Sequence, residues 1–224
     1  MDASGCGLKM PVEVRQLTGG EFHAAIPALA ELRIRIFRTW PYLYDGDREY
    51  ENRYLKRFVG ADRAFLAAAF DGSTIVGAAT AAPLLGEAHE FRAPFEIRGF
   101  DVSKIFYFAE SLLLPEYRGN GIGHSFFDVR ENHARSFGSY SHAVFCGVAR
   151  EPDHPSRPEG YRPLDAFWQK RGYNRLDGVV TEYSWKDLGD VVETPKLMQF
   201  WMRGDKYFPL NQTHNYKSCQ CRLW

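Results

Sequence analysis

The chain has no net charge: 28 Lys and Arg residues balance 28 Asp and Glu residues over 224 positions. Without a Lys/Arg block it lacks the electrostatic footprint of nucleic-acid or anionic-membrane binding, and neither partner is expected. Long apolar runs are missing too. The longest stretch without a charge, 72–86, is too short to cross a bilayer and is interrupted by Pro83. Residues 1–10 carry no apolar core resembling a secretory leader. Cysteine is scarce, and Cys6, Cys146, Cys219 and Cys221 do not make a disulfide framework in a chain this long. Cys146 lies inside an apolar run, which suits a reducing, cytoplasmic compartment. The 7 histidines show no ligand spacing, and Glu87-Ala88-His89-Glu90 is not a zinc motif, so no metal is expected. Core material, by contrast, is plentiful, with 45% hydrophobic residues that include 17 Phe, 12 Tyr and 5 Trp.

Apolar–polar alternation over 12–17 predicts a strand. Phe22, Ile26, Leu29, Leu32 and Ile36 recur at steps of three or four, predicting a helix that Trp40-Pro41 ends. A turn-rich linker leads to a second helix over 49–58, and Asp71-Gly72 joins strands 65–70 and 74–82 as a hairpin. The segment 86–104 has room for a short helix, interrupted by Pro94 and Gly99. The run 105–114, closed by Pro115, reads as a central strand buried on both faces. A glycine turn then opens a helix to about Phe137, followed by a strand at 143–149 and a proline-rich loop. A short helix over 164–171 stops at Gly172, and strands at 179–185 and 196–202 complete the order. That order describes a single α/β or α+β domain over 12–203, with a flexible N-terminal segment 1–11 and a loosely ordered tail 204–224.

The informative stretch runs from Glu110 through Pro115 and Arg118 to Gly123. A buried strand entering a glycine turn that opens a helix brings several backbone N–H groups together at the positive end of the helix dipole, which is a site for phosphate. Arg118 adds a charge-assisted contact. A dinucleotide fingerprint would need glycine at His124, and a Walker turn would need Gly-Lys-Ser/Thr; neither is present.

Arg118-Gly119-Asn120-Gly121-Ile122-Gly123 resembles the Arg/Gln-x-x-Gly-x-Gly/Ala signature of the GNAT superfamily of acyl-CoA-dependent N-acetyltransferases. Ala166-Phe167-Trp168-Gln169-Lys170-Arg171-Gly172-Tyr173 is similar to the family's late helix end. The resemblance implies a mixed, mostly antiparallel sheet with helices on both faces, splayed between strands 105–114 and 143–149, with acetyl-CoA in the opening. It further implies that backbone amides of Arg118, Gly119, Asn120, Gly121, Ile122, Gly123 and His124 hold the diphosphate, with Ser111, Leu112 and Leu113 along the pantetheine arm. The implied activity moves acetyl to a primary amine of a small molecule by direct attack, through a tetrahedral intermediate, in a monomer or homodimer. Protein N-termini or lysines are alternative acceptors.

An alkylamine with a pKa near ~10.4 is protonated at pH 7, so acylation needs a proton acceptor. Glu110 is the first candidate; its competing reading is a buried carboxylate paired to a structural Arg. Strict alternation sets Glu110 with Leu112 and sets Tyr107 with Ser111 on the opposite face, which makes Tyr107 the second candidate; a bulge would change that parity. Where the family usually has a tyrosine acid this chain has Trp168, which leaves Tyr161 and Tyr173 as candidate acids, with a packing role as their favoured competing reading. The same departure fits a rival reading, a catalytically weak, regulatory acyl-CoA-binding module. Trp40, Tyr42 and Tyr44 beside Asp45, Asp47 and Glu49 suit an aromatic, acidic pocket for a cationic amine; the favoured competing reading is a polar turn anchored by aromatics in the core. Arg157 and Arg162 point instead to an acceptor with a carboxylate.

Overall fold

Small and aromatic residues interleave to build one seven-stranded sheet in a computed structural model that describes residues 11–204. The chain begins with β1 (Glu13–Leu17), α1 (Gly20–Phe37), α2 (Arg48–Val59), β2 (Phe65–Asp71) and β3 (Thr74–Pro83). It continues with α3 (His89–Glu96), β4 (Ile105–Leu113), α4 (Ile122–Ser136) and β5 (His142–Val148). It ends with α5 (Asp165–Lys170), β6 (Asn174–Trp185) and β7 (Thr194–Gly204). The spatial order is β1-β2-β3-β4-β5-β7-β6, and every neighbouring pair is antiparallel except β4 and β5. The terminal segments expected to be loosely ordered lie, apart from residues 11 and 204, outside the described residues. No helix among the described residues is long and apolar enough to cross a membrane.

The helices lie on both faces of the sheet. The stripe of α1 buries Phe22, Ile26, Leu29 and Leu32 with α2 against Leu66, Ala68, Ala78 and Leu112. On the opposite face α4 packs Phe127 and Ala134 against Phe65, Ala67, Phe106 and Phe108. Alanines in β2 and β3 leave room for helices above and below. Farther along, α3 sets Phe95 against Ile105, Tyr107 and Phe200. Two expectations shift. The segment 86–104 does hold a helix, α3, with Pro94 inside its last turn. The sixth strand starts at Asn174 rather than 179, because a register shift between Arg175 and Val180, at Gly178 with φ 71°, hides the alternation of its exposed first half.

The feature that positions the site is a fork. Strands β4 and β5 pair only over Ile105↔His142, Phe106↔Ala143 and Tyr107↔Val144, then separate. At that point β4 carries a bulge against β3: Thr80 faces Glu110, whereas Ala82 faces Tyr107. The extra residue turns β4 away from β5 and resets its parity. Tyr107 and Glu110 therefore share the α1 face, which corrects the strict alternation. Arg130 of α4, fully buried, sits under the bulge and donates to the Glu110 carbonyl (2.9 Å), Ser111 Oγ (2.8 Å) and Phe126 carbonyl (3.0 Å). Its guanidinium lies over the Phe108 and Phe127 rings, and burial lowers its pKa to about 10, which leaves it charged at neutral pH.

Candidate active site

A cavity of about 990 Å³ occupies the fork. Ser111 and Leu113 of β4 and the turn Arg118, Gly119, Gly121, Gly123 and His124 form one wall. Gly147 and Val148 of β5 with Phe167 and Trp168 of α5 form the other. The linker Trp40, Pro41 and Tyr42 and the loop bearing Arg157, Tyr161 and Arg162 close it over.

The turn is built by a 3-10 segment, Pro115–Tyr117, followed by Gly119 and Gly121 at φ 82° and 79°, where a side chain would be strained. The first helical bonds of α4 come from the amides of His124 (2.9 Å) and Ser125 (3.1 Å), both to the Gly121 carbonyl. The amides of residues 119 to 123 donate to no acceptor among the described residues. A Cβ at Gly119 or Gly121 would meet nothing within 4 Å, so the space over the turn is open. Unclaimed amides at a helix N-terminus, open space and a nearby guanidinium fit a diphosphate. Arg118 is steadied by donating from Nε to the Leu113 carbonyl (3.3 Å).

Not every residue expected at the cofactor lines the cavity. The side chains of Asn120 and Ile122 face a shallow hollow behind the turn, with Val12, Val14 and Asp128, which leaves only their amides for a ligand. Asn120 Nδ2 donates to the Tyr117 (3.3 Å) and Arg118 (3.4 Å) carbonyls and so staples the turn. Leu112 is a correction: its side chain is buried in the α1 core and its backbone pairs with Ala78. His124 stands in the cavity wall with its ring against Phe167, 4.9 Å between centroids.

Glu110 is the buried carboxylate paired to an Arg that its competing reading describes, and it also stands at the cavity. Its carboxylate pairs with Arg33, which also holds the fully buried Glu51. Its Oε2 is buried with no hydrogen-bond partner, and the residue lines the cavity. Tyr107 is buried outside the lining and reaches the cavity only through Cys146, with its hydroxyl 3.1 Å from Cys146 Sγ. Burial raises the Tyr107 hydroxyl well above its ordinary range and pushes the Cys146 thiol up to about 12, so both are neutral at pH 7.

Tyr173 is a second correction. It is completely buried, and its hydroxyl donates to Glu131 (3.1 Å), a carboxylate that also binds Arg135, Arg171 and Arg203. That hub ties α4 to α5 and β7 inside the core, so Tyr173 is no acid in the cavity. Tyr161 does line the cavity, edge-on to Trp40 at 5.9 Å. Trp168 packs on the β5 backbone so closely that a Cβ on Gly147 would sit 3.1 Å from its ring.

The acidic acceptor pocket does not form. Trp40 and Tyr42 line the cavity, but Tyr44 does not, and burial, with the nearby Glu51 charge second, raises its hydroxyl pKa. Asp45 pairs with Lys186 (2.7 Å) and Arg38 (3.6 Å), which hold its carboxyl below the ordinary range. Asp47 caps α2 by accepting from the Tyr50 amide (2.8 Å), and Glu49 is exposed. These carboxylates fix the linker instead of facing a ligand. Arg150, which no local pattern marks, completes the anchoring. It forks onto Asp187 (2.7 and 2.9 Å) and donates to the carbonyls of Pro41 (3.0 Å) and Tyr42 (2.8 Å).

Comparison with known proteins agrees with this geometry. The model of the acetyltransferase (GNAT) family matches residues 26–173. Among solved structures, the ribosomal-protein-alanine N-acetyltransferase of Brucella melitensis is similar, with TM-score 0.56, 15% identity, and coverage of 86% of this chain and 99% of that one. A putative acetyltransferase from Acinetobacter baylyi ADP1 gives 0.56 and 14%, covering 92% and 98%. One from Salmonella typhimurium, solved with its cofactor acetyl-CoA, gives 0.53 and 12%, covering 94% and 100%. At these identities the structures establish the fold alone. No curated protein matches the sequence. The chain belongs to the GNAT acetyltransferase family.

Proposed function

We propose that this GNAT acetyltransferase moves an acetyl group from acetyl-CoA to the primary amine of a small molecule by direct attack of the amine on the thioester. The observation that carries the proposal is the row of unclaimed amides at residues 119 to 123, opening into a fork lined by Arg118, Arg157, Arg162 and Arg175. Bound there, acetyl-CoA would supply the activated acyl group, its phosphates held by the turn and Arg118.

The chain's own groups divide the remaining work. Past Tyr107 the β4 backbone has no β5 partner, so the main-chain amides at Ser111 and Leu113 are left to bind an extended arm and to polarise a carbonyl in a secluded cleft. Glu110 takes the proton of the incoming ammonium on Oε2, while Arg33 fixes the carboxylate from the other side. Tyr161, which lines the cavity, returns a proton to the departing sulfur, a modest task because a thiol with a pKa of about 8.5 is already a fair leaving group. We place the protein in the cytoplasm, where the free Cys146 thiol stays reduced.

Incubation with acetyl-CoA and a panel of amines, following release of free thiol, tests the proposal. Turnover is expected, and Glu110→Gln is expected to lower it most at low pH, where the amine is most protonated, with CoA affinity unchanged. An equal loss at every pH removes Glu110 as the base. CoA binding without thiol release from any amine would favour the regulatory module that Trp168 allows.

A further inference from the structure

Resting on the acetyltransferase proposal, we infer that the acceptor is an aromatic or apolar amine that also bears a carboxylate, seated against Trp40 and Tyr161 and held by Arg157 and Arg162. Charge is the first observation. Among the described residues only Glu110 and Asp165 put carboxylates in the cavity lining, against six arginines, of which Arg150 is answered by Asp187, Arg175 lies 3.8 Å from Asp177 and Arg130 is buried under the bulge. Glu110 is answered by Arg33, and Asp165 shares the surroundings of Tyr161 with Arg157 and Arg118. A polycationic acceptor would find Asp165 alone without an ion pair among the described lining carboxylates, outnumbered by guanidinium groups, whereas an anionic group would be attracted. The same positive surroundings disfavour the ammonium form of a bound amine and favour the neutral nucleophile.

Unused donors are the second observation. Arg162 lines the cavity and makes no hydrogen bond or ion pair among the described residues. Arg157 spends one nitrogen on the Pro152 carbonyl (3.0 Å), with its guanidinium 5.8 Å from the Tyr161 ring centre; its remaining donors have no acceptor. The indole N–H of Trp40 is buried without an acceptor, a cost that a ligand oxygen would remove.

Placement is the third observation. The loop carrying both arginines packs on Trp40 through His154 (5.1 Å) and Tyr161 (5.9 Å). Arg118 is tied to the glycine turn through Leu113. Arg157 is thus carried by the loop that packs on Trp40, whereas Arg118 is carried by the glycine turn, with its charge also reaching Tyr161. The aromatic walls select a flat or apolar body, and the guanidinium groups select a carboxylate.

The test uses the full chain with acetyl-CoA and three probes: phenylalanine, phenylalaninamide and spermidine, in wild type, Arg157→Gln and Arg162→Gln. Phenylalanine is expected to have a lower KM than its amide. Arg157→Gln is expected to raise that KM by about tenfold or more, the usual worth of a charge-assisted hydrogen bond, while KM for the amide and for acetyl-CoA stays put. A similar, smaller rise is expected for Arg162→Gln. Equal KM for acid and amide overturns the inference, as does a rise in KM for acetyl-CoA alone, which would make Arg157 a phosphate ligand. Turnover of spermidine without phenylalanine overturns it while the acetyltransferase proposal stands. No thiol release from any amine overturns both.

Discussion

Replacing Gly121 by Asp should abolish CoA binding and leave the protein folded. Gly121 starts α4 at φ 79°, and a Cβ added there meets nothing within 4 Å, so the cost to folding is left-handed strain alone. That strain is about 1 kcal/mol, less for Asp and Asn, and a negative charge at a helix N-terminus offsets part of it. In a chain of this size about 1 kcal/mol moves Tm by roughly 2–4 °C. The cost to binding is larger. A carboxylate roughly 5 Å from one phosphate charge, at an effective dielectric of about 20, is repelled by about 3 kcal/mol, or about a hundredfold in Kd. Gly121→Asn is the control, since it has the same shape and the same tolerance of the left-handed region without the charge. Calorimetric titration with CoA should show Asn close to wild type and Asp at least about a hundredfold weaker, with the gap narrowing as salt rises. Affinities of the Asp and Asn variants within threefold of each other would refute the idea that this turn faces a phosphate.

Two further outcomes concern buried charge. Arg33→Met strands Glu51 and Glu110 without their shared cation, and urea denaturation should show a loss of about 3–5 kcal/mol; a loss under about 1 kcal/mol would mean that the pairing does not hold α1 to α2 and β4. Burial raises the Glu87 carboxyl, against a smaller opposing pull from Arg57. A raised folded pKa favours folding only below the unfolded carboxylate value, and the benefit is lost as pH rises, so at pH 7 the charged group is a liability. Glu87→Gln should therefore raise Tm at pH 7 and match wild type near pH 4; equal Tm at pH 7 would contradict the burial.

Local pattern was enough to place the hairpin at Asp71-Gly72, the stripe of α1, the strand ending at Pro115 and the glycine turn. In each, the residue type itself restricts φ and ψ or sets a period that only one element satisfies. The first half of β6 escaped because it is exposed, and exposed strands lose the alternation that marks them. Glu110 was legible as a buried carboxylate, but its partner Arg33 comes from a helix far away in sequence.

The sequence by itself therefore determined the order of elements and the glycine turn that opens α4, because backbone preference and hydrophobic period act over a few residues. Tertiary structure decided which side chains face the cavity. The β4 bulge put Tyr107 beside Cys146 and on the face of Glu110, and Glu131 drew Tyr173 into the core. Lys186 took Asp45 out of the acceptor pocket and left an arginine-lined cavity where an acidic one was expected. A charged or hydroxyl group settles wherever its desolvation is best repaid, and that sum runs over partners brought together from across the whole chain.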